Sequence, residues 1–152
     1  MGAWRVVAAS CLLLATTWAS AQDAGSGEPG RYRIETAVWS EGRLRGGREL
    51  ELSAGKAGRF VVRGPESAWR IGVEVEPPAA HEQADPGALW LKVGIEQWID
   101  GEWVFLTDTM LGTPAGEPGR ISVVEDDAGG EAVGAEDARL YVELVARPLS
   151  ER

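Results

Sequence analysis

Apolar and polar residues alternate along most of the chain after Arg31, in short runs separated by Gly and Pro. The alternation is clearest in the segment 68–76, where every second residue from Trp69 to Val75 is apolar. A period of two places these side chains on one face of a strand and the intervening polar residues on the other. No helical period of 3.6 residues is sustained. The pattern therefore predicts half-buried antiparallel strands.

Eight such strands are predicted between residues 31 and 148, each contributing one apolar face to a core. Sheets of this kind bury their apolar faces by packing against each other. The predicted fold class is therefore all-β, an antiparallel β-sandwich of about eight strands, and a closed β-barrel is the alternative. The predicted strands begin near Arg31, Arg48, Gly58, Ala68, Ala88, Glu102, Gly119 and Ala138.

The second half of the chain resembles the first, with three matching segments in the same order and at similar spacing. This agreement favours an internal duplication into two similar four-strand units, 31–77 and 88–148, with each unit forming one sheet. The linker between them, 78–87, consists of Pro, Ala and polar residues. The matches are Trp39–Gly42 with Trp98–Gly101, Gly55–Phe60 with Gly116–Ile121, and the alternating residues 71–75 with 140–144.

Asp100-Gly101 gives the strongest local signal, because this dipeptide readily takes the two positive φ angles of a type I′ hairpin turn. A two-residue turn at this point places Ile99 opposite Glu102 and Trp98 opposite Trp103.

The first 21 residues have the pattern of a cleavable signal peptide. Arg5 precedes an apolar stretch, and Ala19-Ser20-Ala21 forms an A-x-A cleavage site. The apolar stretch is too short to cross a bilayer core of about 30 Å, so no membrane insertion is expected. The sequence therefore predicts an exported protein of the periplasm or the extracellular medium, with residues 22–30 as a flexible tether.

A lipoprotein signal at Cys11 is the competing interpretation of the leader, although cleavage there leaves a Leu-rich segment on the mature chain. Cleavage after Ala21 instead removes the only cysteine. That cleavage excludes disulfides, thiolate nucleophiles and cysteine-ligated metals from the mature protein.

The charge and the residue inventory exclude further classes of function. Removal of the leader, with its single basic residue Arg5, leaves 14 basic and 24 acidic residues and a net charge of −10. Such a surface repels nucleic acid. His81 is the only histidine and lies in the linker, so neither a zinc site nor a Ser-His-Asp triad is expected. The sequence predicts no enzyme activity and no cofactor.

Calcium is the metal that the composition leaves open. Asp126, Asp127 and Glu131 are weak candidate ligands around a Gly-rich segment. The acidic spacing of an EF-hand is absent, which favours a solvated acidic loop.

The tryptophans are the candidate binding residues. Trp90 and Trp98 lie on the polar face of the predicted strand that begins near Ala88, and the hairpin register adds Trp103 and Phe105 to that face. Such a strip could bind a sugar ring or an apolar side chain of a partner. Alternatively, a loop covers the strip, or a bulge near Gln97 turns Trp98 into the core.

These observations favour a non-enzymatic exported module that binds another protein of the envelope, through an exposed sheet edge or through the aromatic strip. A carbohydrate-binding module that recognises a polysaccharide through the same tryptophans is the alternative. An unrecognised hydrolase is the third hypothesis, and it requires a deep pocket with convergent acidic groups.

Overall fold

The computed structural model describes residues 30–76, 88–124 and 133–149. The predicted leader, all but the last residue of the predicted tether, the linker 78–87 with His81, and the calcium candidates Asp126, Asp127 and Glu131 lie outside these residues. The strands are β1 (Arg31–Ser40), β2 (Arg43–Ser53), β3 (Ala57–Arg63), β4 (Ala68–Val75), β5 (Ala88–Ile99), β6 (Glu102–Pro114), β7 (Pro118–Val123) and β8 (Leu140–Pro148).

The eight strands form two four-stranded antiparallel sheets. Sheet I has the strand order β2-β1-β8-β7, and sheet II has the order β3-β4-β5-β6. Both sheets contribute buried side chains to one hydrophobic core, so they pack face to face and the predicted β-sandwich is confirmed. In the described part of the chain, no helix is long and apolar enough to cross a membrane.

The sandwich is not a closed barrel. Consecutive strands are neighbours along most of the chain, and β8 returns to pair with β1. Around the sandwich, the pairing of strands is interrupted at two corners, because the described residues form no ladder between β2 and β3 or between β6 and β7. Gly55 and Gly116 lie at these corners with φ angles of 75° and 83°. Such positive φ angles favour glycine, and they help the chain to leave one sheet for the other.

Each sheet combines two strands from each half of the chain, whereas the sequence pattern predicts one sheet per unit. The difference arises because the chain changes sheets after two strands of each unit, at Gly55 and again at Gly116. The two sheets have equivalent strand orders. If β1, β2, β7 and β8 of sheet I are replaced by β5, β6, β3 and β4, the order β2-β1-β8-β7 becomes β6-β5-β4-β3, which is sheet II read from its other edge. The topology thus has the symmetry that a duplication would produce, and the duplication itself stays a prediction.

The core follows the predicted alternation. In β4, Trp69 and Val73 are 1% exposed, Ile71 and Val75 are fully buried, and the intervening polar side chains face outward. Sheet I supplies the opposing side chains from β1 and β8. The largest fully buried side chains are Trp69, Ile34, Ile71, Leu91, Ile95, Leu140 and Leu144.

Strand β2 begins at Arg43, five residues before the predicted start near Arg48. Gly46 and Gly47 both lie within the strand. Gly46 takes a φ of 129°, close to the point where the β1–β2 register shifts. A β-bulge that uses glycine therefore continues the ladder across the dipeptide.

The predicted hairpin at Asp100-Gly101 is confirmed. The two residues have φ angles of 51° and 90°, and the ladder pairs Trp98 with Trp103. The hairpin between β1 and β2 has the same design, because Glu41 and Gly42 also have positive φ angles. Both turns thus have glycine at the second central position, one of the two where a type I′ turn needs a positive φ angle.

Candidate functional site

The two outer faces of the sandwich differ in chemistry. Ion pairs between Arg and Glu side chains of neighbouring strands occupy much of the outer face of sheet I, which also carries the edge-to-face pair of Trp39 and Tyr141. Pairs on such an exposed surface add little stability, but each of these charged groups already has a partner of opposite charge. The pairs are Arg31–Glu51, Arg33–Glu49, Arg33–Glu51, Arg147–Glu35 and Arg120–Glu143.

Exposed apolar side chains concentrate instead on sheet II. Among the described residues, five of the six large hydrophobic side chains that are exposed belong to its strands, and Leu44 of sheet I is the sixth. Exposed apolar patches on protein surfaces often take part in binding, so these side chains are candidate binding residues. The five are Val61, Trp98, Ile99, Phe105 and Met110.

Three aromatic residues at the β5–β6 hairpin, Trp98, Trp103 and Phe105, form what we call the aromatic cluster. Trp98 and Phe105 are 44% and 61% exposed. The rings of Trp98 and Trp103 meet edge to face, with centroids 5.2 Å apart and planes at 68°. Two rings at this angle do not form one flat platform, so the cluster presents a corner rather than a plane.

Trp98 faces outward because the bulge lies in β6 and not at Gln97. The β5–β6 register shifts between Ile95 and Glu96, which leaves Leu106 as the additional residue. Leu106 packs against the core, and Phe105 stays on the outer face. Gln97 itself points inward, where its side chain accepts a hydrogen bond from Arg139 at 3.1 Å.

Arg70 of β4 packs against the cluster at Trp103. Its guanidinium carbon lies 4.7 Å from the centroid of the Trp103 ring, within the range of a cation–π interaction. The same guanidinium donates hydrogen bonds from Nε and Nη2 to both carboxylate oxygens of Glu96 on β5. A bidentate pair of this kind fixes the plane of the guanidinium, and with it the Trp103 ring.

The hydrogen bonds from Arg70 lower the pKa of Glu96, against the smaller opposing effect of desolvation. A lowered pKa keeps Glu96 ionised, which is the opposite of what a general acid requires. Glu96 therefore serves as an anchor for Arg70.

Acid is expected to release this anchor. A carboxyl whose folded pKa lies below its unfolded value stabilises the fold above the unfolded pKa, and that stability is lost as the pH falls through the folded pKa. We expect the tryptophan fluorescence of the cluster to change as the pH falls below the ordinary glutamate pKa of about 4.3. The Glu96→Gln variant should lack this transition. A fluorescence titration that is identical in both proteins would show that Glu96 does not control the cluster.

Trp90 shares the outer face of sheet II but lies apart from the cluster. It is eight residues before Trp98 on β5, a separation of about 26 Å along a strand. Its ring covers Gly112 on β6, where an added Cβ would lie 3.0 Å from the ring atoms. The structure thus brings Trp98, Trp103 and Phe105 together and places Trp90 at the other end of the strand.

The outer face of sheet II has a depression next to the cluster that was not predicted from the sequence. Its floor is formed by Gly72 of β4 and Gly94 of β5, which face each other directly in the ladder. It has a volume of about 300 Å³ and opens to the outside of sheet II. The lining residues are Ala57, Arg59, Gly72, Val73, Glu74, Lys92, Gly94, Glu96, Phe105 and Asp108.

A sequence signal for the depression exists. On the outward positions of β4 the order is Arg70, Gly72, Glu74, and on β5 it is Lys92, Gly94, Glu96. Antiparallel pairing of two such basic–glycine–acidic triplets aligns glycine with glycine and each base with an acid. The ladder has this register, with Arg70 opposite Glu96 and Glu74 opposite Lys92.

Within the described ranges, no group of three or more His, Cys, Asp or Glu side chains could hold a metal ion.

Comparisons with protein-family models, curated proteins and solved structures gave no match.

Proposed function

We propose that the chain is an exported, non-enzymatic β-sandwich protein that binds another protein of the cell envelope through the aromatic cluster. The asymmetry between the two outer faces carries the proposal. Ion pairs occupy much of the outer face of sheet I, where Trp39 and Tyr141 are partly buried. Sheet II instead exposes Trp98 and Phe105 and places Arg70 against Trp103. Tryptophan and arginine are enriched among the residues that dominate binding energy at protein interfaces.

The rigidity of the cluster supports the same conclusion. Trp103 is held between the Arg70 guanidinium and the edge of Trp98, and Arg70 is fixed in turn by Glu96. A surface whose side chains are already ordered loses little conformational entropy when a partner docks. The projecting corner of two rings suits an apolar pocket on a folded partner.

Export to the periplasm or to the medium is proposed from the signal-peptide pattern of residues 1–21. The non-enzymatic character is proposed from the residue inventory, because cleavage after Ala21 leaves one histidine and no cysteine. Neither a Cys-His pair nor a zinc site can be assembled from such a chain.

The proposal predicts that the Trp98→Ala variant loses partner binding. The tagged mature protein, immobilised, is incubated with an envelope extract of the producing cell, and retained proteins are identified by mass spectrometry. A central interface tryptophan contributes about 2 kcal/mol or more, so its removal should reduce retention of the specific partner at least tenfold.

The matched control is Leu44→Ala, which removes an exposed apolar side chain from sheet I. We expect this variant to retain the same protein as the wild type. Equal retention by Trp98→Ala, or loss of retention only with Leu44→Ala, would contradict the proposed interface. Retention of polysaccharide in place of protein would instead favour the carbohydrate-binding alternative.

A further inference from the structure

We propose that the depression over Gly72 and Gly94 is a second binding site, which takes one unit of a neutral glycan. The site adjoins the aromatic cluster and shares Phe105 with it, but its floor lies outside the cluster. Both glycines lie in the interior of the two central strands of sheet II, far from any turn.

Local structure does not require glycine at these two positions. Neither residue has a positive φ angle, the conformation that favours glycine elsewhere in the chain. An added Cβ on Gly94 would meet no atom within 4 Å, and one on Gly72 would make an ordinary contact of 3.6 Å with Arg59. Glycine within a strand destabilises the sheet relative to alanine, and it often marks the close approach of a ligand.

The charges around the floor indicate a neutral ligand. Among the charged residues of the lining, Glu96 is paired with Arg70. Of the others, Arg59 and Lys92 supply two cationic groups, and Glu74 and Asp108 supply two carboxylates. None of the salt bridges among the described residues involves these four side chains. The site is thus electrically balanced on a chain of net charge −9, and its polar groups are available as donors and acceptors. Such a lining does not select a polyanion.

The position of the depression disfavours an extended peptide. A peptide that adds to a sheet needs an edge strand with unpaired backbone groups. The floor lies instead on β4 and β5, each hydrogen-bonded to neighbours on both sides. Recognition must therefore come from side chains, which suits a ligand rich in hydroxyl groups.

Phe105 completes the site for a sugar. It lines the depression and is 61% exposed, so one apolar surface adjoins the polar groups of Arg59 and Asp108. A pyranose ring presents the same combination, with C–H groups on its faces and hydroxyl groups around its rim. One aromatic side chain beside several donors and acceptors can therefore contact both kinds of surface on the ring.

The test is a titration of the isotope-labelled mature protein with neutral oligosaccharides of glucose, mannose and N-acetylglucosamine, monitored by backbone amide resonances. We expect at least one of them to shift the amides of Gly72 and Gly94. The Gly94→Leu variant, whose side chain fills the depression, should bind that sugar at least about tenfold more weakly. The matched control, Ser122→Leu, adds a leucine to the outer face of sheet I and should bind normally.

Several results would overturn the assignment. They are the absence of shifts at Gly72 and Gly94 with all three sugar classes, unchanged binding by Gly94→Leu, and equally strong binding of an anionic oligogalacturonate. Trp98→Ala separates this site from the protein interface. The variant should keep the sugar-induced shifts while it loses the protein partner, so either proposal can fail without the other.

Discussion

Replacement of Trp69 by alanine is expected to lower the free energy of unfolding by about 3–5 kcal/mol, the cost of removing a large aromatic side chain from a packed core. Trp69 is 1% exposed and is the largest fully buried residue among those that the structure describes. Its indole nitrogen also donates to the hydroxyl groups of Ser40 and Ser67, each at 3.2 Å. The side chain therefore contributes both core volume and a link between the sheets. Urea unfolding of the purified mature protein measures the change.

Trp98→Ala is the matched control, because it removes the same side chain from the surface. Trp98 is 44% exposed, and its ring contact is with Trp103. Loss of an edge-to-face pair costs about 0.5–1.5 kcal/mol, well below the core value. Equal destabilisation by the two substitutions would contradict the assignment of Trp69 to the core and Trp98 to the surface.

Trp69→Phe keeps the experiment informative if Trp69→Ala does not fold. Phenylalanine preserves most of the aromatic volume and removes the indole donor. Ser40 and Ser67 remain within 3.3 Å of each other, so their hydroxyl groups keep a partner. We expect a loss of about 1 kcal/mol from the hydrogen bonds, together with a smaller cavity cost.

Gly47→Ala is the second large effect, with an expected loss of about 3 kcal/mol, the upper end of the usual cost of overpacking. A Cβ at this position would lie 1.8 Å from the carbonyl oxygen of Thr36. The two backbones cannot separate easily, since the Thr36 hydroxyl bonds both the N–H and the C=O of Arg48. The substitution must break this pairing of β1 with β2. Thermal and urea unfolding should both detect it.

Gly94→Ala is expected to have the opposite effect on stability, at a second glycine within a strand. With open space around its Cβ and no positive φ angle, alanine should raise stability by about 0.5–1 kcal/mol. A loss of stability in Gly94→Ala comparable to that in Gly47→Ala would contradict the geometry described for both sites.

Much of the fold could be predicted from local rules. Alternation from Trp69 to Val75 correctly predicted a strand with one buried face, because a sheet that covers a core sorts side chains with a period of two. The Asp100-Gly101 turn correctly predicted the register that pairs Trp98 with Trp103. Both features depend on residues close together in the chain.

The remaining features depend on contacts between distant residues. The sharing of strands between the two sheets follows from the pairings of β1 with β8 and β4 with β5, which no local pattern specifies. The depression likewise requires Gly72 to lie opposite Gly94, and residues 76–87 separate β4 from β5 in sequence. Trp90 alternates in phase with Trp98 and shares its face, but eight residues, about 26 Å of strand, separate the two side chains, so a shared face does not bring them together.

Oxidative footprinting of the side chains tests most directly whether the outer face of sheet II is the binding face. The mature protein is labelled with hydroxyl radicals alone and in the envelope extract, and modified residues are located by mass spectrometry. We predict rapid labelling of Trp98 and Phe105 in the isolated protein, protection of both in the extract, and unchanged labelling of Leu44. Labelling of Trp98 as slow as that of Trp69, or protection of Leu44 alone, would contradict this prediction.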